Sequence, residues 1–234
     1  RQRETAHRYM LGLYEVLEKI TSSFPDILFE SCSGGGGRFD PGMLYYMPQT
    51  WTSDNTDAVH RLRIQYGTSL VYPVSAMGAH VSAVPNHQTG RITSLKTRGD
   101  VAMSGNFGYE LDLTQMTDEE KAEVKEQVKQ YKEIRHVVQF GEFYRLRSPF
   151  EGNDAAWMSV AEDGSEAFAV HVGVLAEPNA PLDWLRLKGL DPEARYRVEG
   201  SGDVYGGDQL MYVGLPIPRA NGDYESHVWR LVRQ

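Results

Sequence analysis

Cysteine is almost missing from this 234-residue chain, which holds only Cys32, so no internal disulfide can form. A fold stabilised without disulfides favours a reducing compartment, and a cytoplasmic location is the expectation. Long hydrophobic runs are missing too. None approaches the roughly 20 apolar residues of a membrane-spanning helix, so no membrane partner is expected. Basic residues are in short supply, with 24 Lys and Arg against 32 Asp and Glu, and the net charge of −8 is spread along the chain. Phosphate-backbone attraction therefore has no source, which argues against nucleic acid as a partner and suits a neutral ligand better. There is no internal repeat and no low-complexity tract. The first residue is Arg1, inside a helical pattern and not at a methionine, so the N-terminus reads as cut and the lack of a signal peptide carries little weight. What the chain does have is an apolar share of 41%, enough for a real core in one large domain or two moderate ones.

Tyr9, Leu13, Leu17 and Ile20 recur at helical spacing ahead of Pro25 and predict an amphipathic helix over 5–22. A strand is expected at 26–32. The apolar segment 43–48 leads into a short strand over 49–54 with a polar end, and a helix follows at 57–66 with Ala58, Leu62 and Tyr66 on one face. Ser69 to Pro73 opens a third strand, 77–91 reads as a long Gly, His and Asn-rich loop, and 101–108 supplies a fourth strand. Thr117 and Glu120 form a capping box in front of Val124, Val128 and Tyr131, so a helix should run to about Arg135. This alternation is the grammar of β/α repeats around a parallel sheet, with the polar residues after the strands. Four strands are half of a closed (β/α)8 TIM barrel, so 1–138 reads as its second half. From 139 to 234 short β-rich pieces separated by Asp-Gly, Asn-Ala-Pro and Gly-Gly turns predict an all-β antiparallel sandwich, with Trp157, Trp184 and Trp229 spaced like its core.

The densest chemistry lies in Cys-Ser-Gly-Gly-Gly-Gly-Arg-Phe-Asp at 32–40 and Trp-Thr-Ser-Asp-Asn-Thr-Asp at 51–57. Four glycines after an apolar run are favoured where the backbone bends sharply or a ligand comes close. They make no phosphate loop, lacking the Gly-Lys-Ser/Thr ending, and no dinucleotide fingerprint. Asp54, at a strand end beside Trp51, suits a sugar-processing acid/base, but its Ser-Asp-Asn-Thr setting favours a helix cap. Asp57 is closer to the helix start and takes the structural role. Cys32 reads either as a buried small hydrophobe or as a thiol lining the site, and no histidine partner marks it as a nucleophile. Arg38 and Asp40 read as a structural pair, and Trp51 as core or, preferably, as a sugar-stacking platform. Tyr72, Pro73 and Met77 read as wall residues. His80 and His87 with Asn86 match no metal-ligand spacing, so no metal is expected.

With Glu-Ser-Cys-Ser-Gly-Gly-Gly-Gly-Arg-Phe-Asp-Pro-Gly-Met-Leu-Tyr-Tyr at 30–46, Trp-Thr-Ser-Asp-Asn-Thr-Asp-Ala at 51–58 and Met-Gly-Ala-His-Val-Ser-Ala-Val-Pro-Asn-His at 77–87, the chain resembles bacterial α-galactosidases of glycoside hydrolase family 36. The resemblance covers essentially the whole chain. It implies a retaining hydrolase that releases terminal α-linked galactose from raffinose, melibiose and related oligosaccharides, with no cofactor. It places the general acid/base on Asp54 and a galactose-pocket residue on Cys32, with Gly34 and Gly35 letting the sugar approach the backbone. The family's nucleophile belongs to a Lys-Trp-Asp-type motif that this chain lacks, so the chain alone should be inactive. Homo-oligomers, often tetramers, are also implied. The nearest alternatives are a galactosyltransferase of the raffinose-synthase type and a sugar-binding fragment without chemistry.

Overall fold

The computed structural model describes residues 2–234. The apolar spacing near the start produces α1 (Gln2–Ser23), which buries Leu17 but leaves Tyr9, Leu11, Val16 and Ile20 exposed. The strand expected at 26–32 shrinks to β1 (Glu30–Ser31), and Ile27 and Leu28 are exposed. A strand is held by its neighbours, and among the described residues β1 has one partner, on one edge. The apolar segment after it is a helix, α2 (Pro41–Tyr46), because proline occupies its first position and the Asp40 carboxylate accepts from the Met43 N–H at 2.8 Å. Asp40 is thus a cap and not the partner of Arg38, whose guanidinium donates to the Tyr9 hydroxyl at 3.1 Å.

β2 (Gln49–Thr50) is followed by α3 (Ala58–Ser69), capped as expected by Asp57, which accepts from the Val59 and His60 N–H groups at 2.9 Å. The strand expected at Ser69 to Pro73 is absent. Ser69 ends α3, and Leu70 and Val71 are exposed in the turn that follows. The strand lies instead inside the stretch read as a loop, as β3 (Gly78–Ser82). Its small and polar residues hide it because its inner side is crowded: a side chain at Gly78 would meet the Trp51 ring at 3.2 Å. The expected fourth strand is split. Ser94 caps α4 (Leu95–Ala102), and β4 (Asn106–Glu110) begins only afterwards. α5 (Asp118–Phe140) carries the predicted capping box and runs past Arg135.

β1 and β2 are parallel, a parallel bridge joins Thr50 to Met77 at the start of β3, and β3 pairs in parallel with β4. The four strands therefore lie side by side in chain order. Successive residues point to opposite faces. Ala79, Val81, Phe107 and Tyr109 meet Leu95, Ala102 and Val124 of the helices, while His80, alternating with them, stacks on Trp51 on the other face.

Beyond α5 come β5 (Glu142–Arg147), β6 (Asp154–Val160), β7 (Glu166–Gly173), β8 (Asp183–Leu185), β9 (Arg195–Val198), β10 (Val204–Gly206), α6 (Gly207–Tyr212), β11 (Leu215–Ile217) and β12 (Ser226–Arg233). Six of these strands form an antiparallel sheet in the order β10-β9-β12-β7-β6-β5, and β8 pairs with β11 as a separate antiparallel ribbon. One face of the sheet, with Met158, Ala169 and Tyr196, packs on Leu185, Leu210 and Leu215 of the ribbon and α6. The other, with Trp157, Phe168 and Val170, packs on Ile134 and Val138 of α5 and on Leu62 of α3. Both faces being covered explains why β6 and β7 are almost continuously buried instead of alternating. Trp157 is a core residue and Trp229 lies against the core, but Trp184 is 43% exposed and leaves the predicted set.

Candidate active site

The glycine turn and the Trp-Thr-Ser-Asp segment leave the C-terminal ends of adjacent strands β1 and β2 and are bonded to each other. Trp51 N–H donates to the Ser31 carbonyl at 2.9 Å and Gly36 N–H to the Thr52 carbonyl at 3.0 Å. Gly34 and Gly35 have φ of +57° and +74°, a conformation that disfavours side chains. A Cβ on Gly35 would lie 2.7 Å from the Ser53 Cα, whereas one on Gly34 would meet nothing within 4 Å. What approaches the backbone at Gly35 is therefore the neighbouring loop. Cys32, Gly34, Gly37 and Arg38 of this segment are exposed, so Cys32 is not a buried hydrophobe.

Asp54 has an exposed side chain, while the peptide that carries it is held from several sides. Its carbonyl accepts from Gln88 Nε2 at 3.0 Å, and the preceding carbonyl, of Ser53, accepts from Arg61 Nη1 at 3.2 Å. Thr56 N–H donates to Gln88 Oε1 at 3.2 Å, and the Thr56 carbonyl accepts from Ser82 Oγ at 2.9 Å. Asp57, not Asp54, caps α3. Buried at 2% exposure, it also receives Thr89 Oγ1 at 2.6 Å and Arg91 Nη1 at 2.5 Å. Burial pushes its carboxyl up, but the hydrogen bonds from Thr89 and the His60 N–H and the Arg91 charge outweigh that and hold it below its ordinary value.

Trp51 is 7% exposed, stacked on His80 with ring centroids 4.6 Å apart and with the Arg61 guanidinium 4.7 Å from its centroid. A ring so covered offers no open face for a sugar, so the platform reading gives way to a packing role that supports the Asp54 loop. Arg61 is the residue sequence reasoning missed. Although charged and on a helix, it is 2% exposed and also donates to the Gly78 carbonyl at 2.7 Å and to Gln65 at 3.0 Å. Burial pushes its guanidinium down to about 10, so it remains a cation at neutral pH. His80 is lowered by burial, an effect that Glu110 and Glu30 partly oppose. Tyr72 and Met77 support the site from the side: Tyr72 stacks on Phe39 at 4.0 Å, and Met77 is fully buried.

The stretch 83–94 turns on Asn86, whose side-chain carbonyl accepts from Gln88 N–H at 3.0 Å and Thr89 N–H at 3.1 Å and whose amide donates to Thr56 Oγ1 at 3.0 Å. Asn86 is thus a turn former facing the Asp54 loop, and His87 points to solvent. Neither shares a ligand cluster with His80. An exposed carboxyl on a pinned loop, beside an open turn, is an arrangement that can hand a proton to a bound group.

Two family models match this chain. The melibiase family model matches residues 1–141, and the glycosyl hydrolase family 36 C-terminal domain matches residues 154–231. The α-galactosidase AgaA of Geobacillus stearothermophilus is 72% identical over 99% of this chain and 32% of its own length. The bifunctional α-galactosidase/sucrose kinase AgaSK of Mediterraneibacter gnavus is 54% identical over 95% of this chain and 24% of its own length. Among solved structures, α-galactosidase AgaB of Geobacillus stearothermophilus superposes with a TM-score of 0.98 at 71% identity, covering 100% of this chain and 32% of that one. A variant of AgaA in complex with raffinose superposes with a TM-score of 0.97 at 70% identity, covering 99% and 32%. The chain thus spans about a third of the length of AgaA and AgaB. With its fold, the adjoining glycine turn and Asp54 loop, and these matches together, the chain belongs to the melibiases of glycoside hydrolase family 36.

Proposed function

We propose that the chain serves as the later half of the (β/α)8 barrel, residues 1–138, and the C-terminal antiparallel β-unit, residues 139–234, of a retaining α-galactosidase in which Asp54 is the general acid/base. The observation that carries this reading is the bonding of the Cys32 turn to the Asp54 loop at the C-terminal ends of two neighbouring parallel strands, where barrel enzymes build their sites. Support for the barrel comes from four parallel strands in chain order with apolar residues toward the helices and outer edges that lack partners among the described residues. The substrate class, raffinose-type α-galactosides, is supported by the raffinose and stachyose complexes of the Geobacillus relative.

In the retaining mechanism two carboxyl groups lie about 5 to 5.5 Å apart. A carboxylate from outside this chain attacks the anomeric carbon as the bond to the leaving oxygen breaks, and Asp54 gives its proton to that oxygen. Water then attacks the anomeric carbon, Asp54 takes the water's proton, and the carboxylate is released. Cys32 and Gly34 form the open wall toward the sugar, Gly35 acts through its contact with Ser53, and Trp51 acts through packing. The same reading extends to a cytoplasmic homo-oligomer, which the lone cysteine and the exposed apolar side chains of α1 support. In the full-length enzyme, Asp54→Ala should lower turnover of raffinose by about 100-fold or more, the general-acid contribution. It should spare activated aryl α-galactosides more and be partly rescued by azide. Raffinose turnover equal to that of the parent would overturn the assignment.

A further inference from the structure

The C-terminal sheet reaches the Asp54 loop through a continuous set of contacts. Tyr224, just before β12, has φ of +61°, and its position is fixed on both sides: its N–H donates to the Val174 carbonyl at 3.0 Å, and its carbonyl accepts from Thr97 Oγ1 of α4 at 2.7 Å. Two residues on, Ser226 Oγ donates to Asp100 of α4 at 2.6 Å and its carbonyl accepts from Lys96 Nζ at 2.9 Å. The backbone under the Tyr224 ring is therefore fastened to the helix layer. The ring lies 5.3 Å from the Arg91 guanidinium, a cation–π distance. Arg91 in turn pairs with Asp57, its carbonyl accepts from Asn86 N–H at 2.9 Å, and the turn between them presents Gln88. The Gln88 amide spans the Asp54 peptide, donating to the Asp54 carbonyl and accepting from Thr56 N–H.

We propose that the stretch 83–94 is a clamp that orients the Asp54 carboxyl, closed on the Asp54 peptide by Gln88 and anchored to the C-terminal sheet by Arg91 on Tyr224. The C-terminal unit then has a part in the chemistry, and Gln88, Arg91 and Tyr224 are positioning residues. This rests on the acid/base reading of Asp54. The physical reason for a clamp is that within this chain the Asp54 side chain is exposed, so these residues set its direction through the peptide that carries it. Proton transfer demands hydrogen-bond reach to the leaving oxygen. Displacing the carboxyl by about 1 Å is enough to cost about 100-fold.

The clamp predicts a signature that loss of general stability would not produce. In the full-length enzyme, kcat/KM is measured across aryl α-galactosides of graded leaving-group acidity for Gln88→Glu, Tyr224→Asn and, as reference, Asp54→Ala. Gln88→Glu keeps the size and replaces the donor to the Asp54 carbonyl by an oxygen. Tyr224→Asn removes the ring while keeping a residue that tolerates positive φ. Both should lose about 10- to 100-fold on poor leaving groups and no more than about 3-fold on the most activated one, a steeper leaving-group dependence in the direction of Asp54→Ala. Equal losses across the series, or none, in Gln88→Glu would overturn the clamp, and that variant at an exposed loop tip keeps the test open if Tyr224→Asn folds poorly. If Asp54→Ala itself shows no leaving-group dependence, it is the acid/base reading that fails, and the two outcomes are told apart by the reference alone.

Discussion

Asp54 and Asp57 are three residues apart and sit in opposite surroundings, one exposed and one buried. Asp57 is turned into the protein, where two backbone N–H groups, Thr89 and Arg91 consume its lone pairs. Asp54 is turned out and has only its carbonyl engaged. The assignment of Asp57 to capping was legible because capping follows from short-range chemistry. The depressed Asp57 carboxyl makes a pH-dependent contribution to stability. A carboxylate held below its ordinary value stabilises the fold above the unfolded-state pKa, and that contribution is lost as the pH falls through the lower folded-state value. Asp57→Asn should therefore lower the midpoint of thermal unfolding at pH 7, and the gap to the parent should close as the pH drops below 3.8. A gap that stays constant down the acid range would argue that Arg91 contributes nothing through charge. Arg61 marks the limit of reading residues one at a time. Its neighbours in sequence give a mixed helix, and only the Ser53, Gly78 and Trp51 partners from other elements show why a guanidinium is buried there.

Elements whose stability is local were readable. α1 and α5 declare themselves by periodicity and, for α5, by the capping box. β3 was not readable, since Gly, Ala, His and Ser give no strand signal and the run is extended only because β2 and β4 flank it. The glycine turn lies between these cases. Its need for glycine was evident, but the cause, the Ser53 backbone against Gly35, is a contact between two loops. Gly35→Ala should thus act on the pairing of these loops, combining the strain of a positive φ with a backbone clash. A loss of at least about 1 kcal/mol is expected in denaturant unfolding, on the scale of left-handed strain in a non-glycine residue. Gly34→Ala carries the strain without the clash, and equal losses in the two variants would show that the loop contact is unimportant.

At the scale of the whole molecule, the helices and the C-terminal sheet share one apolar layer, with Leu62, Ile134 and Val138 on one side and Trp157, Phe168 and Val170 on the other. The parallel strands have the converse property, an inner face carrying Trp51 and His80 and two outer edges without partners among the described residues. On the proposed reading this chain carries one carboxyl of the catalytic pair and should not complete the reaction by itself. Given an aryl α-galactoside, the isolated chain is expected to show no turnover above background over hours. Release of the aryl group by it would mean that the second carboxylate lies within these residues.

The sequence by itself determined the helices α1, α3 and α5, the cap at Asp57 and the β-rich character of residues 139–234, because each depends on neighbours within a few residues. Only the tertiary structure decided that the glycine turn rests on the Asp54 loop, that Trp51 is covered by His80 and Arg61, and that Gln88, Arg91 and Tyr224 connect the loop to the C-terminal sheet. Those contacts join residues far apart along the chain, and a periodicity or a cap signal, which samples a single turn of backbone, holds no information about which distant side chain will close on it.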